Sequence, residues 1–202
     1  PAQAQKIDQA PFLLSADDVI HDGKLGQITA RGQVEISSQG RVLLADSVNY
    51  NQRDGLVTAS GNLTLLEPSG EVIFAEHMQL SEDLSKGFIE SLRILMTDQS
   101  RFAANSATRK GVNHLEMSKA VYSPCQICQE HPERAPLWQL KAVRVIHRRD
   151  EHEVEYRHAF LEIYGVPIAY TPYFRHADPL TPRKSGFLAP ELGSSSYLGT
   201  TV

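Results

Sequence analysis

The chain has 202 residues, 41% of them apolar, enough for one ordinary domain with a buried core and too many for wholesale disorder. Twenty lysines and arginines against 24 acidic residues leave a net charge of −4, which argues against a dedicated nucleic-acid binder. No apolar stretch reaches the roughly 18 residues of a membrane-spanning helix. The best run, Phe160 to Phe174, contains Glu162, Pro167 and Pro172. The start, Pro1-Ala2-Gln3-Ala4-Gln5, is small and polar, as expected of a mature or trimmed N-terminus without a basic-then-apolar leader.

An internal repeat of about 29 residues dominates the first 120 positions. Ala16, Asp17 and Val19 recur as Ala45, Asp46 and Val48. Gly26, Ile28, Ala30, Gly32, Val34 and Ile36 recur as Gly55, Val57, Ala59, Gly61, Leu63 and Leu65. Ala75, Glu76 and Met78 open a third copy, and Ala104-Asn105-Ser106-Ala107 a fourth. Within a unit apolar and polar residues alternate, the period of strands with one buried and one wet face. Turn residues separate the runs at Asp22-Gly23, Gln39-Gly40, Asp54-Gly55, Pro68-Ser69-Gly70 and Lys86-Gly87. Each unit is predicted to be two short strands and two turns, with no helix. Ala30/Gly32 and Ala59/Gly61 put small residues at matching heights, where a strand bends, bulges or meets another backbone.

The repeat fades from about Pro124, where a Pro-rich loop runs to Pro136. Trp138 to Ile146 reads as a strand, Arg148-Arg149-Asp150-Glu151 as a charged turn, and Val154 to Tyr164 as its partner. Pro167 and Pro172 forbid a central paired strand in the aromatic stretch Gly165 to Phe174, which is therefore an edge or a packed connector. The last residues, from Arg183-Lys184-Ser185-Gly186, could open a further strand but find no partner before Val202.

The catalytic reading finds little support. HExxH, GxSxG, phosphate-loop and dinucleotide patterns are all missing. His147, His152 and His158 flank a charged turn and read as solvated hairpin residues. Asp17 and Asp46 are repeat equivalents, so turns claim them before acid–base chemistry does. Tyr156, Phe160, Tyr164, Tyr170, Tyr173 and Phe174 read as a packing cluster. Cys125 and Cys128 form a CxxC. With His131 they supply three potential zinc ligands where a closed site wants four. A disulfide, local or to a partner outside the chain, is the leading reading; metal and free thiols are the alternatives.

The repeated Ala-Asp-x-Val and Ala-x-Gly-x-(Val/Leu)-x-(Ile/Leu) units resemble the OstA-like domain of lipopolysaccharide-transport proteins. Trp138-Gln139-Leu140-Lys141-Ala142, Gly165 to Phe174, and Ser185-Gly186-Phe187-Leu188-Ala189-Pro190 resemble, within that group, the outer-membrane lipopolysaccharide-assembly family. The resemblance covers essentially the whole chain. It implies an all-β fold, an open β-jellyroll of stacked antiparallel strand pairs. Residues 1–12 would be a flexible segment, 13–182 the periplasmic OstA-like jellyroll, and 183–202 a linker and the start of a truncated outer-membrane barrel. The family's known members link periplasmic cysteines to barrel cysteines with a different spacing, so their connectivity does not carry over to Cys125 and Cys128.

The resemblance also implies a non-catalytic lipid conduit, without cofactor or metal, on the periplasmic side of the outer membrane. Lipopolysaccharide acyl chains would lie in an apolar trough between two sheets, each buried methylene contributing about 0.8 kcal/mol. Alternation nominates Val34, Ile36, Leu63 and Leu65 as inward, with Val48, Phe74 and Met78 beside them; a filled sandwich core is the competing reading. Implied partners are lipopolysaccharide, a periplasmic bridge carrier pairing with an edge near Leu13 to Ile20, and a plug lipoprotein through the barrel. A free-standing carrier of the same fold and a lipid-free structural β-solenoid are the rivals.

Overall fold

A computed structural model describes residues 13–125, 135–178, 193–195 and 199–201. The expected segment 1–12, loop residues 126–134 with Cys128 and His131, and the run Arg183 to Pro190 lie outside them. All regular structure among the described residues is β. The strands are β1 (Leu13–Ser15), β2 (Asp18–Asp22), β3 (Gln27–Ser38), β4 (Arg41–Asn51), β5 (Leu56–Leu66), β6 (Val72–Ser81) and β7 (Lys86–Leu95). They continue as β8 (Arg101–Lys110), β9 (His114–Ser123), β10 (Trp138–Arg148), β11 (Glu153–Ile163) and β12 (Val166–Ala177). Each pairs antiparallel with the next, except that β1 and β2 both pair with β3, giving one 12-stranded sheet that runs β1/β2-β3-β4 through to β12. A separate pair joins β13 (Gly193–Ser195) to β14 (Gly199–Thr201). No described helix is long and apolar enough to cross a membrane, which says nothing of a β-barrel.

The repeat unit is indeed two strands, but they are ten to twelve residues long, each with a corner in the middle. In β3 the register shifts between Arg31 and Val34, where Gly32 and Gln33 both take positive φ. β5 repeats the device at Gly61 and Asn62. Ser91, Lys119 and His158 hold the same left-handed conformation in β7, β9 and β11. The structural repeat thus outlasts the sequence repeat, because a corner needs one positive-φ residue and not a particular side chain.

What crowds the corner glycines is a carboxylate. A Cβ on Gly32 would lie 2.4 Å from Asp17 Oδ2, and one on Gly61 2.5 Å from Asp46 Oδ2. Asn62 Nδ2 donates to Asp46 at 2.8 Å, and Ser91 Oγ donates to Glu76 at 2.9 Å. The recurring acid of the repeat therefore braces the left-handed residue on the next strand. That also explains why β1 and β2 are two strands: Ala16-Asp17 is their corner, equivalent to Ala45-Asp46 within β4.

Two turn assignments change. Lys86-Gly87 lies inside β7, where Gly87 is obligatory because a Cβ would come within 2.0 Å of the Gln79 carbonyl; the turn is residues 82–85. The tight turns with two consecutive positive-φ residues are Gln39-Gly40 and Tyr164-Gly165 rather than the Asp-Gly pairs. The aromatic stretch does form an edge strand, β12, paired on one side with β11.

Bending at every corner folds the sheet into two facing layers. Residues 18–22, 27–31, 47–51, 56–60 and 77–81 belong to the first layer; residues 13–15, 34–38, 41–45, 63–66 and 72–75 belong to the second. The layers meet through their inward side chains. Tyr122 of the second layer lies 6.3 Å, centroid to centroid, from Tyr156 of the first and 5.4 Å from His176.

Candidate functional site

The interior is built from rows of residues in cross-strand register. In the second layer one row runs Leu14, Ile36, Leu43, Leu65, Ile73, Ile94, Phe102, Tyr122, Leu140, Leu161, Ala169. In the first layer the facing row runs Val19, Ala30, Val48, Ala59, Met78, Ile89, Ala107, Met117, Val145, Tyr156, Phe174. Neither row contains a charged residue. Their middles are sealed, and their ends reach water: Val19 is 54% exposed at one end, and Ala169 is exposed at the other.

Val34, Ile36, Val48, Leu63, Leu65 and Met78 face this interior with at most 1% of their surface exposed. Phe74 does not. It points outward, 37% exposed, and its neighbour Ile73 takes the inward place. Aligning Ile73-Phe74-Ala75-Glu76 with Leu43-Leu44-Ala45-Asp46 reveals the phase, because the alanine before the corner acid is inward and so is the residue two before it. The aromatic cluster divides likewise. Tyr156 and Phe174 line the interior, whereas Phe160, Tyr164, Tyr170 and Tyr173 are exposed on the outside.

Along the seam where the free rims of the two layers meet lies a buried ionic cluster that the sequence reading missed. Glu67 binds Arg41 at 3.2 Å through Nε and also accepts a hydrogen bond from Arg109 Nη1. Glu71 accepts one from Arg149 Nη2. Arg41, Glu67 and Arg109 are at most 3% exposed at their side chains, and Glu71 is fully buried. Desolvation pushes the Glu67 carboxyl up, but Arg109, Arg149 and Arg41 outweigh it and hold the group below the ordinary range. The legible signal is phase: each of Arg41, Glu67, Glu71 and Arg109 stands two residues from an inward apolar residue, on the buried side of the alternation.

His147, expected to be solvated, is 1% exposed and sits 2.5 Å from Asp178 Oδ2. His158 is exposed, 2.8 Å from the Tyr170 hydroxyl. Among the described residues no group of three or more His, Cys, Asp and Glu side chains is placed to hold a metal. Cys125 is half-buried beside a cavity of about 450 Å³, which Phe74, Arg93, Arg101, Val121 and Pro136 also line; its thiol makes no disulfide within the described residues.

The interior phenols set an alkaline limit. Burial, helped by the Asp98 carboxylate, pushes Tyr122 up to about 12, and burial raises Tyr156 well above its usual value. A folded value above the unfolded value of about 10 means that this stability is complete below pH ~10 and is lost as pH rises toward the folded value. For Tyr122 the loss amounts to about 3 kcal/mol. Urea unfolding across that window should show Tyr122→Phe losing less stability than the parent chain.

The chain is similar in sequence to several known proteins. The LPS-assembly protein LptD of Thiobacillus denitrificans is 30% identical over 96% of this chain, that of Nitrosococcus oceani 30% over 100%, and that of Nitrosomonas europaea 28% over 96%. The chain is related to LptD over essentially its whole length. It spans about a quarter of the length of these relatives, 26% for the Thiobacillus denitrificans protein. No protein-family model matches it. Among solved structures, LptH of Pseudomonas aeruginosa, described as the LptA-homologous periplasmic component of the lipopolysaccharide transport device, superposes on 49% of this chain and 75% of its own. Its TM-score is 0.42 and its sequence identity 17%.

Proposed function

We propose that this chain is the periplasmic part of an LptD-type assembly protein of the outer membrane, and that it passes lipopolysaccharide along its interior without catalysing a reaction. The observation that carries this reading is the pair of uncharged inward rows, sealed in the middle and wet at both ends, in a chain related to LptD. A row of this kind gives an acyl chain the same apolar surroundings at each strand, so the lipid is held by burial alone and meets no deep trap. Val34, Ile36, Val48, Leu63, Leu65, Ile73 and Met78 would contact it once the layers part.

The edges support a direction. β1 and β2 have no described partner on their outer side and contain no proline, so they suit strand addition by a bridge carrier. At the far edge, Pro167 and Pro172 remove two donors from β12. Residues 13–182 would then be the jellyroll and 183–202 the approach to a barrel, with the plug lipoprotein bound there. A Cys125–Cys128 disulfide would suit that compartment.

Photo-crosslinking tests the conduit. A light-activated residue at Leu14, Ile36 or Leu161, one per folded variant, should give adducts with lipopolysaccharide. Glu35 and Phe74, on the outer face, should give none. Adducts at neither end nor in the middle would leave the structural solenoid as the reading.

A further inference from the structure

The seam cluster is more than an ion pair that staples two rims. Both carboxylates sit on one hairpin turn, residues 67–71, closed by Glu67 N–H to Glu71 O at 3.0 Å and by Gly70 N–H to Glu67 O at 2.9 Å. The three guanidiniums come from three other places: Arg41 at the start of β4, Arg109 near the end of β8, and Arg149 in the turn between β10 and β11. Arg109 and Arg149 belong to the first layer, whereas the turn belongs to the second. Lifting this one turn would therefore uncouple the rims and strip all three arginines of their carboxylate partners.

The pairing within the cluster is incomplete. Arg109 Nε and Nη2 and Arg149 Nε are buried with no hydrogen-bond partner, as is one carboxylate oxygen, Glu71 Oε1, and the Arg109 side chain is only 1% exposed. Two carboxylates serve three guanidiniums. A further carboxylate, Asp83 in the turn between β6 and β7, also feels the Arg41 charge, but its hydrogen bonds go to Ser81 and Ser85. A buried guanidinium with free donors is a fork-shaped receptor for a tetrahedral oxyanion, which accepts several hydrogen bonds at once.

We propose that the seam is an anion-exchange latch: a phosphate group displaces the 67–71 turn from Arg41, Arg109 and Arg149, and the rims separate as it binds. This deepens the conduit reading and rests on it for the source of the phosphate, an amphiphile whose acyl chains lie between the layers. The same chemistry would take a free phosphate, so the first test uses no lipid.

Inorganic pyrophosphate is titrated into the 202-residue chain, and the side-chain Nε–Hε resonances of Arg109 and Arg149 are followed with the amides of residues 67–71. The expected result is a saturable shift of both sets. Affinity should be about tenfold higher in Glu67→Gln, which removes the competing charge, and about tenfold lower in Arg109→Gln, the worth of one charge-assisted contact. Dispersed spectra elsewhere certify the fold of each variant. No saturable shift in either the parent or Glu67→Gln, or equal affinity in all three proteins, overturns the latch. A monoacyl phosphate and the corresponding alcohol are then compared by competition with a fluorescent acyl probe. Pyrophosphate binding with neither amphiphile competing would uphold the anion site and remove the conduit.

Discussion

Arg109→Met, with Glu67 left in place, should cost about 3–5 kcal/mol of unfolding free energy, the usual penalty for breaking a buried ion pair on one side. Glu67 is 3% exposed at its side chain and would keep only Arg41 as a direct partner. Replacing the three groups together (Arg41→Met, Glu67→Leu, Arg109→Met) should recover most of that loss, because no charge is then left without water or partner. Urea unfolding of the two variants and the parent chain, analysed as a cycle, measures both steps. Equal stability of Arg109→Met and the parent would mean that the pair is open to solvent and contributes little. The cluster also has a pH signature. Since the Glu67 carboxyl is held below its ordinary value, its contribution is present above the unfolded value of about 4.5 and is lost as pH falls through the folded one. The charges facing it are Arg41, Arg109 and Arg149, with Glu71 on its own turn and Asp83 on the turn between β6 and β7.

The second large effect separates two phenylalanines that composition treats alike. Phe102→Ala should cost about 3–5 kcal/mol, the range for a buried aromatic truncated to a methyl group. Its ring, 2% exposed, lies 4.8 Å from Tyr122 on the neighbouring strand and 6.4 Å from His147 of the facing layer. Phe74→Ala should cost less than about 1 kcal/mol, since outward positions seldom exceed that. Its side chain already keeps 37% of its surface in water. Thermal or urea midpoints of the two variants decide the matter. A Phe74 loss as large as that of Phe102 would place it in the core.

Part of this was open to reading because it is local. A period-two strand reports its own buried face, so Val34, Ile36, Leu63 and Leu65 were legible from alternation alone. The glycines at 32 and 61 were legible as places where a strand bends, bulges or meets another backbone, and their positive φ at the register shifts makes them corners. Phe74 was misread where the alternation passes a corner: register shifts there change which parity faces inward, so counting from Met78 gives the wrong side. His147 was misread for a similar reason. It follows Val145 in the inward phase of β10, although a charged turn comes next.

The sequence by itself determined a stack of strand pairs about 29 residues per unit and an apolar inward face, and the family resemblance supplied the edge near Leu13 to Ile20. Only the tertiary structure decided which rims meet. Arg109 and Glu67 are 42 positions apart, and Arg149 and Glu71 are 78 apart. Nothing in either neighbourhood encodes the contact, because it depends on how sharply every corner between them folds the sheet. Alternation tells a residue which side of its own layer it occupies; the opposing layer, brought over by many small bends, supplies the partner that makes a buried charge tolerable.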